Sequence, residues 1–373
     1  KSITFVVHKI SKNMKISKLL MPILILGIAI VGLSSCKKKE DAPPASDPDP
    51  ILGGTFLFTG NSPMGVCYGP YHIADFKTNP FAQYPGVHIP ASQIDTDLGM
   101  IAQHFSFFRT YTMADGMDTV PYFAQKHNLQ VAIGVWVWPN DAAKTKWEAE
   151  TAVRLAKKYP QQVRCITVSN EPSGAGVTFS RVVEVMNDVH GLMQTAGINI
   201  PLTSCIKGPE VKNAQVILDA CKSLNDAKNR YIFLTIYPYG GQIYNPVPYN
   251  TPGDIKKNME YSYGNAMKPC EDAGLKVIIG EMGWPSGTDD NETQLPTEWE
   301  NNINMGKNYA ASLSWIKGDN QGSTVFPPNK VITTFWFEMF DEPFKVGEPR
   351  GVGPCWGIYY NKANPARKFD PTK

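Results

Sequence analysis

The chain predicts one α/β domain, a single (β/α)8 TIM barrel. Three observations carry this expectation. Eight short runs rich in apolar and β-branched residues recur between Ile51 and the end of the chain, several of them continuous rather than alternating. Strands buried on both faces of a parallel sheet have that pattern, whereas a sheet wetted on one side alternates. Helix-like segments with apolar residues three and four apart fill the intervals, and no long structureless gap or internal repeat interrupts them. The 373 residues, 42% hydrophobic and 19% charged, are ample for one such core, since barrels of this kind commonly reach about 250 residues or more.

The chain ahead of the barrel reads as a separate region. Residues 1–35 have the form of a secretory signal whose true start is Met14. "MKISK" is short and basic, and the apolar run Leu19 to Leu33 is shorter than the roughly 20 residues a membrane span needs. The ending "LSSC" (Leu33 to Cys36) resembles the lipobox of bacterial lipoproteins. That resemblance implies lipidation of Cys36 and an exported protein anchored by lipid to the outer membrane, on its periplasmic or cell-surface face. The alternative is an ordinary cleaved signal with an incidental cysteine. Residues 36–52 carry "KKKEDAPPASDPDP" (Lys37 to Pro50), which cannot bury apolar area and is expected to be a flexible tether. The catalytic barrel is expected over residues 53–373.

The expected strands, in order, are "MGVCYG" from Met64, "FSFFRTYT" from Phe105, "LQVAIGVWVW" from Leu129, "VRCITVS" from Val163, "NIPLTSC" from Asn199, "YIFLTIY" from Tyr231, "LKVIIGE" from Leu275 and "VITTFWFEMF" from Val331. Among the helices, Ala142 to Tyr159 has the clearest apolar stripe, with Pro160 beyond its end. Ser180 to Gly197 closes on a glycine, and Thr297 to Gly318 is a third.

Charge and cysteine usage exclude some classes. The formal charge is +2, but residues 1–35 hold five lysines and no acid, so the remainder carries −3. No basic cluster marks a nucleic-acid surface. Seven cysteines are present, and no two of the six beyond Cys36 have zinc-ligand spacing. Cys67, Cys165 and Cys205 fall in apolar runs and are expected as small buried side chains. His72, His88, His104, His127 and His190 show no ligand spacing, and neither a Gly-rich phosphate loop nor HExxH occurs. No metal and no cofactor is expected.

Two stretches share one form: "CITVSNEPSG" (Cys165 to Gly174) and "IIGEMGWPSG" (Ile278 to Gly287) are apolar runs that deliver a single acid and then a proline. Glu171 and Glu281 therefore stand at the ends of the fourth and seventh strands. Barrel closure brings both to the C-terminal rim, where functional residues of this fold lie. Two facing carboxylates suit glycosidic bond cleavage: one attacks the anomeric carbon, while the other protonates the leaving oxygen and later activates water. A structural ion pair on the rim is the plain alternative for each. Aromatic residues concentrate at the same strand ends, and sugars have apolar C–H faces that stack on such rings. Tyr68, Tyr237 and Trp284 are the expected platforms. Trp147, Trp299 and Trp315 fall on expected helices and are read as packing residues.

"GVCYGP" (Gly65), "FRTYT" (Phe108), "VSNEP" (Val168), "IYPYG" (Ile236), "GEMGWPSG" (Gly280), "FEMFDEPFK" (Phe337) and "CWGIYY" (Cys355) resemble, in order, the motif series of glycoside hydrolase family 17 across roughly Met64 to Lys368. Plant members often read "ESGWP" where this chain has Met282. The resemblance implies a retaining β-1,3-glucan hydrolase of laminarinase type, endo-acting and monomeric, with Glu171 as acid/base and Glu281 as nucleophile. It implies that Asn170 bonds the sugar 2-hydroxyl, that Tyr237 orients Glu281, and that Glu342 and Lys345 form a pair near the cleft. For Arg109 two readings stand equal: a charge partner near the nucleophile, or neutralisation of a buried carboxylate in the barrel. A β-1,3-glucan transglucosylase, a glycan-binding lipoprotein without activity and a barrel glycosidase of another family are the competing readings.

Overall fold

The computed structural model describes residues 57–72, 88–239, 255–290, 293–319, 323, 325–346, 348–361 and 365–372. The signal region, Cys36 and the tether lie outside the described residues.

Eight parallel strands close into one barrel, and their order around it is their order in the chain. They are β1 (Met64–Cys67), β2 (Phe107–Arg109), β3 (Gln130–Val135), β4 (Val163–Asn170), β5 (Leu202–Lys207), β6 (Tyr231–Thr235), β7 (Lys276–Met282) and β8 (Thr334–Trp336). The helices between them are α1 (Ala91–Ile101), α2 (Val120–Lys126), α3 (Ala142–Lys158), α4 (Phe179–Ala196), α5 (Gln215–Ser223), α6 (Ile255–Ser262), α7 (Lys268–Asp272) and α8 (Asn302–Ile316). A π-helical turn, Tyr263–Met267, joins α6 to α7. The expected (β/α)8 barrel is the fold observed. Among the described residues no helix is long and apolar enough to cross a membrane, and no cluster of acids, histidines and cysteines is placed to hold a metal ion.

Local chemistry sets the helix ends. Asp141 caps α3 by accepting from the Lys144 amide at 2.8 Å, and Thr178 caps α4 through the Arg181 amide at 3.2 Å. Gly197 ends α4 with a left-handed φ of 70°. The third expected helix starts later than its pattern implies, at Asn302. Thr297 Oγ1 accepts from the amides of Trp299 and Glu300, which turns the chain before Asn301 caps the helix. β5 begins at Leu202 rather than Asn199, because Pro201 has no N–H to donate and contributes only its carbonyl, to the Ile166 amide. Trp315 is buried, as expected, and Trp299 is partly buried; Trp147 instead lies outward on α3, 42% exposed.

Two packed layers result. Between sheet and helices lies the larger apolar core. Inside the barrel, phenylalanines from β2, β6 and β8 interdigitate with the small residues Cys67, Ala132, Cys165 and Cys205. Leu57 and Phe58 belong to this inner cluster. Phe58 stacks on Phe107 with centroids 4.8 Å apart and meets Phe335 edge-on at 5.4 Å. Phe58→Ala should therefore cost about 3–5 kcal/mol, read as a lowered midpoint of denaturant unfolding. All six cysteines from Cys67 to Cys355 are buried, and none forms a disulfide among the described residues.

Candidate active site

Both acids sit beside irregularities in the barrel ladder. The β4–β5 register shifts between Thr167 and Asn170, and Ser169 and Glu171 adopt left-handed φ of 65° and 45°. Such backbone is costly for residues with a Cβ. The amide of Glu171 remains anchored, donating to Cys205 O at 2.9 Å. The β6–β7 register shifts between Leu234 and Thr235, leaving Thr235 opposite Glu281. Bulges re-aim side chains, and here they turn both glutamates into one cleft at the C-terminal rim. Thr235 Oγ1 donates to Glu171 Oε1 at 2.5 Å, so one threonine stands between the two acids.

Arg109 forms the floor beneath them. Its Nη1 donates to Gly280 O at 2.9 Å and lies 3.8 Å from Glu281 Oε1, and its Nη2 donates to Asn170 Oδ1 at 3.0 Å. A Cβ on Gly280 would stand 2.7 Å from Nη1 and 2.8 Å from Cys205 Sγ, so only glycine lets the guanidinium cross the barrel here. Arg109 is 1% exposed and touches no part of the cleft surface. It is a charge partner behind the acids, not a sugar contact. Tyr237 donates its hydroxyl to Glu281 Oε2 at 2.7 Å, whereas Glu281 Oε1 accepts no hydrogen bond among the described residues.

The carboxyl of Glu171 is pushed up to about 7, first by burial and second by the negative charge of Glu281. The Thr235 hydroxyl and the Lys207 ammonium act against that shift. Burial and the neighbouring Glu281 also hold the Tyr237 phenol well above its ordinary value, so it stays a donor.

The remaining expected residues divide. Glu342 and Lys345 border the cleft as a buried acid with a half-buried lysine, not as an exposed pair: Lys345 Nζ lies 2.7 Å from Glu342 Oε2 and donates to both oxygens of Glu338 at 2.8 Å. Glu342 Oε1 takes the Tyr71 amide at 3.3 Å, close against Gly69. A Cβ on Gly69 would meet that oxygen at 2.2 Å. Gly69→Ala should displace Glu342 and lower kcat/KM by about tenfold or more, seen in initial rates, with little change in melting temperature. Tyr68 borders the cleft but is fully buried and donates to Asp97 Oδ2 at 2.8 Å, so it offers an edge rather than a platform. Trp284 corrects the expectation outright. It is 1% exposed, donates Nε1 to Trp299 O at 3.0 Å, packs edge-on to Tyr239 and does not reach the cleft. Met282, beside the nucleophile candidate in sequence, is likewise fully buried, paired with Trp336 in the ladder.

Sequence reasoning missed Thr235, Lys207, Glu338 and the wall built on Glu148. The expected fifth strand stopped at Cys205, two residues short of Lys207. Glu338 was visible as a lone acid in an apolar run. Glu148 is fully buried and accepts from Thr112 Oγ1, the amides of Met113 and Trp136, and Trp138 Nε1. It thereby ties the β2 and β3 loop ends together and places Trp136 on the cleft wall. The cleft has a volume of about 930 Å³ and carries Trp136, Tyr237, Tyr261, Phe337 and Trp356 on its surface. Tyr237 meets Trp356 edge-on at 5.2 Å.

A (β/α)8 barrel with two strand-end glutamates, one raised to about 7 beside the other, in an aromatic-lined cleft, has the form of a glycosidase. The chain belongs to the BtgE/BtgC glycoside hydrolase domain family, whose model matches residues 65–357. It is similar to Lichenase-2 of Hordeum vulgare, 25% identical over an alignment of 269 positions, with 62% of this chain and 80% of that protein covered. It is also similar to Glucan endo-1,3-beta-glucosidase 5 of Arabidopsis thaliana, 22% identical over 284 residues, 64% of this chain and 55% of that one. Among solved structures the fold is similar to an endo-laminarinase from Formosa Hel1_33_131, with TM-score 0.63, 17% identity and coverage of 80% of this chain and 83% of that one. A glycoside hydrolase family 17 β-1,3-glucanosyltransferase from Rhizomucor miehei aligns with TM-score 0.58, 17% identity and coverage of 82% and 96%. The glycoside hydrolase family expected from the motif series stands.

Proposed function

We propose that this glycoside hydrolase cleaves β-1,3-glucan by an endo-acting, retaining route. The observation that carries the reading is the unequal pair: Glu171 pushed up to about 7 beside Glu281, whose oxygens face a hydroxyl donor and a guanidinium. The names of the relatives support the β-1,3 linkage.

In the first step a carboxylate oxygen of Glu281 attacks the anomeric carbon. The bond to the leaving oxygen breaks, and that oxygen takes the proton of Glu171. In the second step Glu171 removes a proton from water, the water oxygen bonds to the anomeric carbon, and Glu281 departs. In this reading Asn170, whose Oδ1 accepts from Arg109, bonds the sugar 2-hydroxyl as positive charge develops. Tyr237 orients the nucleophile. Lys345 with Glu342, and the rings of Trp136, Tyr237 and Trp356, contribute substrate contacts along the cleft. All these groups come from one chain, in keeping with a working monomer.

Sizing the products from laminarin and defined β-1,3-oligosaccharides over time tests the reading. A ladder of shorter oligosaccharides is the expected result. Products longer than the input would make the protein a transglucosylase. Saturable binding without new reducing ends would make it a binding protein, and cleavage of β-1,4-glucan alone would overturn the linkage.

The site of action is part of the same proposal: export and a lipid anchor at Cys36 on the outer membrane, supported by the basic, apolar and "LSSC" sequence leading to that cysteine. Loss of detergent-phase partitioning in Cys36→Ser is the expected result, and unchanged partitioning would refute it.

A further inference from the structure

Lys207 is the last residue of β5, one strand beyond the strand that carries Glu171. Its Nζ lies 3.5 Å from Glu171 Oε2, while Thr235 Oγ1 donates to the other oxygen, Oε1, at 2.5 Å. The carboxyl is thus gripped at both oxygens, by a neutral donor from β6 and by a cation from β5. Both Lys207 and Glu171 line the cleft, and the lysine side chain is 38% exposed. The other ionisable groups that bear on Glu171 are Glu281 on β7, Tyr237 just beyond β6 and Cys205 on β5. Arg109 on β2 supplies positive charge from beneath, 3.8 Å from Glu281 Oε1, and Lys207 is the cation that reaches the Glu171 carboxyl itself.

We propose that Lys207 is a positioning residue for the acid/base: it orients the Glu171 carboxyl and stabilises the carboxylate that exists between the two half-reactions. This rests on the retaining reading above. Once the leaving oxygen has taken the proton, Glu171 carries a negative charge beside a covalently occupied Glu281, and the ammonium is the group that compensates it. When water later attacks, Glu171 takes a proton from that water and the compensation is released. The lysine therefore adjusts both halves of the cycle without touching the anomeric carbon.

The test compares kcat/KM against pH for the wild type, Lys207→Met and Lys207→Arg on laminari-oligosaccharides. Removing the cation should move the alkaline limb, which reports protonated Glu171, upward by about one pH unit; partial exposure keeps the shift at the low end of what an adjacent charge causes. kcat should fall by about tenfold, with KM nearly unchanged. Lys207→Arg should return the limb most of the way. A residue that only supported the fold would lower the melting temperature and leave the limb in place. An unmoved or lowered limb in a folded Lys207→Met protein, or an arginine variant no nearer the wild type than the methionine one, overturns the proposal. If Lys207→Met does not fold, Lys207→Gln takes its place. Should the wild type leave every β-1,3-glucan intact, the substrate reading fails by itself. The carbon-13 titration of the Glu171 carboxyl, assigned by its absence in Glu171→Gln, then still decides the role of Lys207: a higher midpoint without the lysine supports it, and an equal midpoint refutes it.

Discussion

Glu281→Gln should lower the rate of reducing-end release from laminarin by about 10⁴-fold or more, the scale on which loss of a nucleophile acts. The amide keeps the shape of the carboxylate and can still accept the Tyr237 hydroxyl, held at 2.7 Å from Oε2 in the wild type. What it lacks is the negative oxygen that forms the bond to the anomeric carbon. Arg109 would lose the partner 3.8 Å away but keep its bonds to Gly280 O and Asn170 Oδ1. The barrel should therefore fold, and thermal melting should shift by only a few degrees. Wild-type turnover in a folded Glu281→Gln protein would remove Glu281 from the chemistry. A collapsed melting curve would assign it a structural role as well.

Glu171→Ala should slow hydrolysis of unactivated glucan by about 10²–10⁴-fold, and the loss should depend on the leaving group. An aryl glycoside of an acidic phenol departs without a proton, so its first step should survive. The glycosyl-enzyme should then accumulate, because nothing remains to deprotonate water. Azide, a nucleophile that needs no base, should restore turnover and yield a glycosyl azide of retained configuration. The pH profile provides a second reading. The protonated form of Glu171 drives the first step, and burial with the charge of Glu281 puts its titration at about 7. In the wild type kcat/KM should fall as pH rises through that value, and in the alanine variant this limb should disappear. Azide products of inverted configuration would contradict the retaining route. An unchanged alkaline limb would transfer the acid role to another group.

The aromatic residues show how far sequence reasoning carried and where it stopped. Tyr237 and Trp284 look alike in the sequence: each is a large ring within two or three residues of a strand-end polar group. In the structure Tyr237 lines the cleft, whereas Trp284 turns behind it to cap a carbonyl and pack on Tyr239. Nothing local separates the two, because the direction of each ring follows from bulges and loop contacts distant in the chain. The same reason hid Lys207. Its only mark in the sequence was a position just beyond a weak strand pattern, and its meaning lay in Glu171, on the neighbouring strand. Glu342 and Lys345 were legible as a pair, but the burial of the acid was not. Their placement depends on Gly69 and on Glu338, a third acid sharing the same lysine.

By itself the sequence determined the barrel, its eight strands in order and the two acids at strand ends. Periodicity, apolar runs and helix caps are local, and they act before any long-range contact forms. Tertiary structure alone decided which acid carries the proton, since that depends on burial, on Glu281, and on Thr235 and Lys207 from two other strands. It also decided that Arg109 lies beneath the site rather than in it. Electrostatics and side-chain direction are summed over groups brought together by closure of the barrel, and no stretch of the chain contains that sum.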